Sequence, residues 1–127
     1  MILAIGAFLG FISVAFGAYA EHGLRDIITD EHFRFLMTAL RYNQVHAVVI
    51  VSLGLAFLSN GKLYGVRPLR LSAFLFIAGT ALFSFGIYLA VWTGQLGLLN
   101  SAPFGGVTLM AAWIFLIAGA LKARRLT

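Results

Sequence analysis

Four long apolar runs without a Lys, Arg, Asp or Glu constrain the fold of this chain more than any other feature. A helix needs about 20 apolar residues to cross about 30 Å of hydrocarbon, because it rises about 1.5 Å per residue. We predict such helices at residues 2–20, 42–58, 71–92 and 104–121. The sequence therefore predicts an all-α integral membrane protein, a four-helix bundle that forms a single domain over residues 1–127.

The composition indicates that lipid is the solvent of these runs. The chain is 61% apolar and 10% charged, with a mean hydropathy of +0.98, whereas soluble domains are about 45–50% apolar and about 25% charged. A water-soluble domain of this length could not bury so much apolar surface. Cysteine is absent from the sequence, which excludes disulfides, thiolate metal sites and cysteine nucleophiles.

The charges are distributed unevenly, and the net charge is +5. All four acids lie between residues 21 and 31, with three arginines in the same stretch or just after it. The other basic residues fall in the second connector and the C-terminal segment, namely Lys62, Arg67, Arg70, Lys122, Arg124 and Arg125. Because cytoplasmic loops are rich in Lys and Arg, we predict a multi-pass membrane protein with both termini in the cytoplasm. Membrane lipid is the expected environment and no nucleic-acid partner is expected, because no basic patch stands apart from the spans.

Residues 30–41 are predicted to form a short amphipathic helix between the first two spans. Thr29 or Asp30 suits its first position as a cap. Phe33 and Leu36 lie on one face, and Arg34 lies on another. This pattern predicts a helix that rests on the membrane surface before the second span begins.

The first span carries a stripe of small residues at helical spacing: Gly6, Gly10, Ser13 and Gly17. Small residues let helix backbones approach closely where lipid provides no hydrophobic drive for association. We expect this stripe to pack the first helix against its own chain; a seam in a homo-oligomer is the alternative. Residues 18–20 also resemble a signal-peptide cleavage site, but no basic residue precedes the run, which favours a retained span.

Four polar residues are predicted to meet at the outer end of the bundle. Glu21 and His22 end the first span, while Tyr42 and His46 begin the second, one turn apart on one face. They form a candidate site for a small molecule, a proton, a metal or a lipid headgroup. The alternative is structural: His46 bonds a neighbouring helix, and Glu21 pairs with Arg25 or Arg41. We favour the structural interpretation and predict no metal site and no cofactor, because the ligand spacing matches no known motif.

Other polar side chains within the spans are expected to hydrogen-bond across helices, namely Asn43, Gln44, Ser72, Thr80 and Ser84. Tyr88 and Trp92 are predicted to lie at the membrane interface. No nucleophile–base arrangement, phosphate-binding loop or pair of intramembrane carboxylates is present in the sequence, so we do not predict an enzyme.

Several segments together resemble the domain-of-unknown-function family numbered four hundred and twenty-three. Residues 16–24, FGAYAEHGL, resemble its FGAFGAHGL signature, and Thr38-Ala39 with Tyr42 and His46 resembles its TA…Y…H segment. Residues 82–88, LFSFGIY, and residues 102–106, APFGG, with Trp113 resemble its FSGS-Y and TPIGG…W segments. Glu21 departs from the family, which has Gly before the histidine.

This resemblance implies a small four-helix protein of the bacterial inner membrane and assigns it no reaction. We expect Gly105 and Gly106 of the APFGG segment to serve helix packing. Our functional hypothesis is a non-enzymatic accessory or assembly subunit of a larger membrane complex, such as a respiratory complex, or a homo-oligomer. The alternative is a protein that binds or transports a small molecule, proton or metal through the outer polar site.

Overall fold

The structure, a computed structural model, describes residues 1–126. Helix α1 (Ile2–Tyr19) continues through a π-helical turn (Ala20–Leu24), and α2 (Asp30–Ser59) follows. A single turn, α3 (Gly61–Tyr64), leads to α4 (Arg67–Thr80), a second π-helical turn (Ala81–Phe85) and α5 (Gly86–Thr93). A 3-10 segment (Leu96–Ser101) then enters α6 (Ala102–Ala123), and Arg124–Leu126 closes the described chain in a 3-10 turn.

The prediction of an all-α protein with four spans is confirmed. Four continuous helical segments are long and apolar enough to cross a bilayer: Ile2–Leu24, Asp30–Ser59, Arg67–Thr93 and Leu96–Leu126. The second span begins earlier than predicted. The third begins at the basic connector, where Pro68 occupies a position in the first turn that needs no backbone N–H.

The prediction of a separate surface helix at residues 30–41 is wrong, because α2 is a single helix from Asp30 to Ser59. Thr29 caps it as predicted, accepting a hydrogen bond from the backbone N–H of His32 at 3.1 Å. No Gly or Pro interrupts residues 30–53, so nothing in the chain breaks the helix where the bilayer was expected to begin. Tyr42 therefore lies about 18 Å from the first residue of α2, at about 1.5 Å per residue.

The four spans form two antiparallel hairpins. Helix α1 packs along α2, helix α4 packs along α6, and α2 joins the hairpins through its contacts with α4 and α5. Glycines permit both close pairings. A Cβ atom on Gly54 of α2 would lie 2.6 Å from the backbone of Leu3, and one on Gly119 of α6 would lie 2.8 Å from the backbone nitrogen of Leu69.

Two apolar clusters fill the bundle, one towards each end. The first includes Leu9, Ala47, Ile50, Phe76 and Leu109, and the second includes Ala20, Leu24, Leu36, Ala39 and Ile87. Between them along the helices lie five buried polar side chains, which we call the polar belt: Ser13, Asn43, His46, Thr80 and Ser84. Of the buried polar side chains in the described structure, only Ser72 lies outside this belt, towards the end with the first cluster.

Candidate functional site

The polar belt is the largest group of buried polar side chains that the described structure brings to one level. The packing of Gly10 on Ala47 places His46 beside residue 11 of α1, close to the middle of the uncharged run 2–20. Polar side chains at that depth of a bilayer need protein partners, because lipid offers none.

His46 has a hydrogen-bond partner on each ring nitrogen. Nδ1 lies 2.7 Å from the carbonyl oxygen of Tyr42, and the indole N–H of Trp113 donates to Nε2 at 3.2 Å. Indole is only a donor and a carbonyl only an acceptor, so Nδ1 carries the proton and the ring is neutral. The ring also stacks on Tyr42 and on Phe76, with centroids 5.8 and 5.4 Å away. His46 therefore ties α2 to α4 and α6.

Two further bonds cross from α2 to the third span. The Asn43 amide nitrogen donates to the Tyr88 hydroxyl at 3.1 Å, and the Ser84 hydroxyl donates to the carbonyl oxygen of Ala39 at 2.7 Å. Ser84 belongs to the second π-helical turn, a local widening of the helix often found at functional sites. Tyr88 is only 3% exposed, and its hydroxyl is used inside the bundle.

Two atoms of the belt have no hydrogen-bond partner within residues 1–126, namely Oδ1 of Asn43 and Oγ1 of Thr80. Both residues are fully buried. Ser13 satisfies its hydroxyl on its own helix, by donating to the Gly10 carbonyl oxygen at 2.7 Å. Three residues of the belt, Asn43, His46 and Ser84, thus form hydrogen bonds between helices. One amide oxygen and one hydroxyl of the belt remain without a partner.

The structure does not bring the four predicted site residues together. Glu21 and His22 lie on the exposed surface at the end of the first span, and Glu21 pairs with Arg25 at 3.1 Å. The packing of Gly17 on Leu40 places Glu21 level with about residue 36 of α2. Tyr42 therefore lies about 9 Å and His46 about 15 Å farther along the bundle, at about 1.5 Å per residue. The prediction of one outer site containing all four residues fails because α2 begins three turns earlier than expected. No group of three or more His, Asp or Glu side chains suited to a metal occurs in the described chain.

The predicted packing residues mostly face neighbouring helices. A Cβ atom on Gly6 would lie 2.8 Å from the backbone of Val51, and one on Gly17 would lie 3.1 Å from the Leu40 side chain. A Cβ atom on Gly105 would meet the backbone of Phe83 in the second π-helical turn. Gly106 differs, because open space surrounds the place where its Cβ would be. Gly106 therefore does not serve helix packing within the chain.

One side of the α1–α2 hairpin carries a groove of about 300 Å³. We call it the hairpin groove; its lining includes Gly10, Val14, Gln44, Val48 and Ser52. Gly10 is only loosely packed, since a Cβ there would lie 4.0 Å from that of Ala47. Gln44 is exposed at the level of residues 13 and 14 of α1, and no hydrogen bond to its side chain is formed within the described residues.

Arg41 lies one turn above Gln44 on the same exposed side of α2. The packing of Leu40 on Gly17 places Arg41 beside residue 16, inside the uncharged run of α1. Arg41 has no acidic partner among the residues that the structure describes.

The chain has four helices able to span a bilayer, with an apolar lateral surface and a buried polar belt. These features define an integral membrane protein of the four-helix class. The family described as "Protein of unknown function (DUF423)" matches residues 16–106. The chain belongs to this family, as its sequence motifs indicate.

Membrane proteins from several bacteria are similar to the chain over nearly its whole length. UPF0382 membrane protein YwdK of Bacillus subtilis is 31% identical over 94% of this chain and 95% of its own. A UPF0382 membrane protein of Haemophilus influenzae is 30% identical, covering 98% and 96%. UPF0382 inner membrane protein YgdD of Escherichia coli is 29% identical, covering 97% and 91%. No solved structure matches the chain.

Proposed function

We propose that this membrane protein is a non-enzymatic accessory or interaction subunit of a larger complex in the bacterial inner membrane. The main support for this proposal is the hairpin groove, in which a transmembrane helix of a partner protein would bind. The groove is lined by small and β-branched side chains, and Gly10 at its floor leaves room for a close approach. Helices associate in lipid through such small-residue surfaces.

Arg41 and Gln44 define the chemistry of the partner helix. A guanidinium that faces lipid costs about 3 kcal/mol on insertion scales at the helix centre, and less about one turn from the end of a span, where Arg41 lies. An amide without a partner is also unfavourable there. A partner helix with one Asp or Glu at the level of Arg41 and a small apolar face against Gly10 satisfies both groups. Charge complementarity therefore favours an acidic partner helix over a second copy of this chain, which would bring a second arginine.

Site-specific photo-crosslinking in cells tests this proposal. A crosslinker in place of Val48, which is 66% exposed in the groove, should trap one discrete partner. Mass spectrometry should place the crosslink in a transmembrane segment that contains Asp or Glu. A crosslinker in place of Val107 on α6, 62% exposed, is the control and should not trap this partner. Crosslinks only to lipid, only to another copy of this chain, or to a helix without an acid would overturn the proposal.

Substitution at Gly10 gives a second test. Gly10→Leu should fill the groove without disturbing the fold, because a Cβ at this position would make only an ordinary van der Waals contact with Ala47. The Val48 crosslink should fall at least fivefold. Gly106→Leu adds the same side chain to open space on α6 and should leave the crosslink within about twofold of wild type. Equal crosslinking by the two variants would count against the groove.

We also propose that both termini face the cytoplasm. Support comes from the distribution of charge: the basic connector around α3 and the basic C-terminal segment belong to one end of the bundle, and all four acids belong to the other. The packing of Gly54 on Leu3 and of Gly119 on Leu69 brings the basic ends of both hairpins to the same side. Positive charge favours the cytoplasmic side.

A second candidate function is the binding of a proton or a small polar molecule in the polar belt. The unpartnered, buried Asn43 Oδ1 and Thr80 Oγ1 favour it, since buried polar atoms are usually hydrogen-bonded. Purified wild-type protein and the His46→Ala variant should then differ in bound small molecules by mass spectrometry. Identical ligand content in the two proteins would exclude this candidate.

A further inference from the structure

A second groove, on the α4–α6 hairpin at the basic end of the bundle, has a volume of about 310 Å³. We call it the basic groove; its lining comprises Arg67, Pro68, Arg70, Leu71, Phe74 and Phe115. We propose that the basic groove is a binding site for one anionic phospholipid, whose phosphate lies between Arg67 and Arg70 and whose acyl chain lies along Phe74 and Phe115.

The polarity of the basic groove matches that of a lipid molecule. Arg67, Arg70, Leu71 and Phe74 follow one another at helical spacing, so they share one face of α4. The two arginines come first, and Phe74 lies about one turn deeper in the span, at about 5.4 Å per turn. Phe115 of α6 completes the apolar part. A charged head and an apolar tail therefore fit the groove in one orientation only.

The two arginines of the basic groove have no acidic side chain beside them in the described chain. All four acids lie between residues 21 and 31, at the opposite end. Arg67 is exposed and has no acidic partner in the part of the chain that the structure describes. Arg70 lies over the Tyr64 ring, 5.3 Å from its centroid. Stacking uses the face of the guanidinium and leaves edge N–H groups to donate to an anion.

A phosphodiester fits this arrangement better than other anions. Guanidinium groups bind phosphate oxygens with paired N–H donors, and basic pockets between spans bind acidic lipid headgroups. A soluble phosphate would make no use of Leu71, Phe74 and Phe115. The site lies on the hairpin that does not form the hairpin groove, so it stands independently of the proposed partner helix.

Binding of phosphatidylglycerol to the detergent-purified full-length protein tests the proposal. By native mass spectrometry, wild type should retain phosphatidylglycerol at least fivefold more than phosphatidylcholine of the same acyl chains. The Arg67→Gln/Arg70→Gln variant should lose this preference. Arg67→Gln alone, which leaves the stacking of Arg70 on Tyr64 intact, should reduce it at least twofold, so the result does not depend on the fold of the double variant.

Lys62→Gln is the matched control, because Lys62 lies at the same end but does not line the basic groove. It should keep phosphatidylglycerol retention within twofold of wild type. An unchanged preference in both arginine variants, or an equal loss in Lys62→Gln, would overturn the proposal in favour of diffuse attraction. Displacement of the lipid by millimolar inorganic phosphate would show a free-anion site and would also overturn it.

Discussion

At the scale of single residues, His46 shows how one side chain joins three spans. Its ring nitrogens are both bonded, to Tyr42 of its own helix and to Trp113 of α6, and its faces contact Tyr42 and Phe76. The sequence marked His46 as a residue of interest because a histidine within a span is costly without a partner. It did not identify Trp113 as that partner, because the pairing depends on how α6 is rotated.

We predict that removing the Trp113 donor destabilises the bundle modestly. Trp113→Phe keeps an aromatic ring but leaves His46 Nε2 without a donor, so the free energy of unfolding should fall by about 1 kcal/mol, near the upper range of hydrogen bonds between membrane helices. His46→Ala also removes ring packing and should cost about 2–4 kcal/mol.

Unfolding by sodium dodecyl sulfate in mixed micelles, followed by circular dichroism, measures both changes. Trp92→Phe is the control, because Trp92 is 59% exposed and has no hydrogen-bond partner in the described structure; it should change the free energy by less than about 0.5 kcal/mol. A Trp113→Phe protein as stable as wild type would contradict the role of the His46–Trp113 bond.

At the scale of helices, the length of α2 was the feature least accessible from sequence. Charges at Arg34 and Arg41 suggested that the chain lay outside the bilayer until Tyr42. The buried residues Leu36, Ala39 and Asn43 instead continue one helical face without interruption. Charged residues do not end a helix: a helix continues across the membrane–water interface unless a helix-breaking residue such as proline stops it. Because α2 begins at Asp30 and not at Tyr42, Tyr42 and His46 lie deeper in the bundle than Glu21.

Adjacent glycines at the start of α6 give a prediction at this scale. A methyl group on Gly105 would meet the backbone of Phe83, whereas one on Gly106 meets nothing within 4 Å. Gly105→Ala should destabilise the protein by about 1–3 kcal/mol through overpacking. Gly106→Ala should be neutral or stabilise it by up to about 1 kcal/mol, since Ala favours helix.

The same detergent titration compares the two glycine variants. The two glycines are neighbours in α6 and receive the same methyl group, so the change in helix propensity is the same for both. A difference in the free energy of unfolding between the variants therefore reports the contact with the π-helical turn. Equal stabilities would show that α6 does not approach Phe83 as closely as described.

At the scale of the whole molecule, the number of spans followed directly from hydropathy, since a bilayer requires about 20 apolar residues per crossing. Hydropathy does not predict how the hairpins pair or that the polar belt lies halfway along the bundle, because both depend on which faces of the helices meet. Asn43 and Ser84 were expected to bond across helices, and they do. Gln44 was expected to do the same, but it faces the lateral surface.

Reporter fusions test the proposed orientation of the molecule. Alkaline phosphatase, which is active only outside the cytoplasm, should be inactive when fused after residue 127 and active when inserted at Gly94, the left-handed turn between α5 and the following 3-10 segment. Green fluorescent protein should give the opposite pattern. A phosphatase-active C-terminus would reverse the proposed topology.

Six basic side chains are clustered at one end of the bundle, and all four acids belong to the other. A membrane potential therefore acts on the orientation of the molecule in the bilayer. Transferring one elementary charge across 100 mV takes about 2.3 kcal/mol. Carrying the six clustered basic side chains to the positive face would therefore take on the order of 14 kcal/mol at that voltage. In the proposed orientation the end rich in arginine and lysine faces the electronegative side, so the membrane potential of a respiring cell would oppose inversion of the protein.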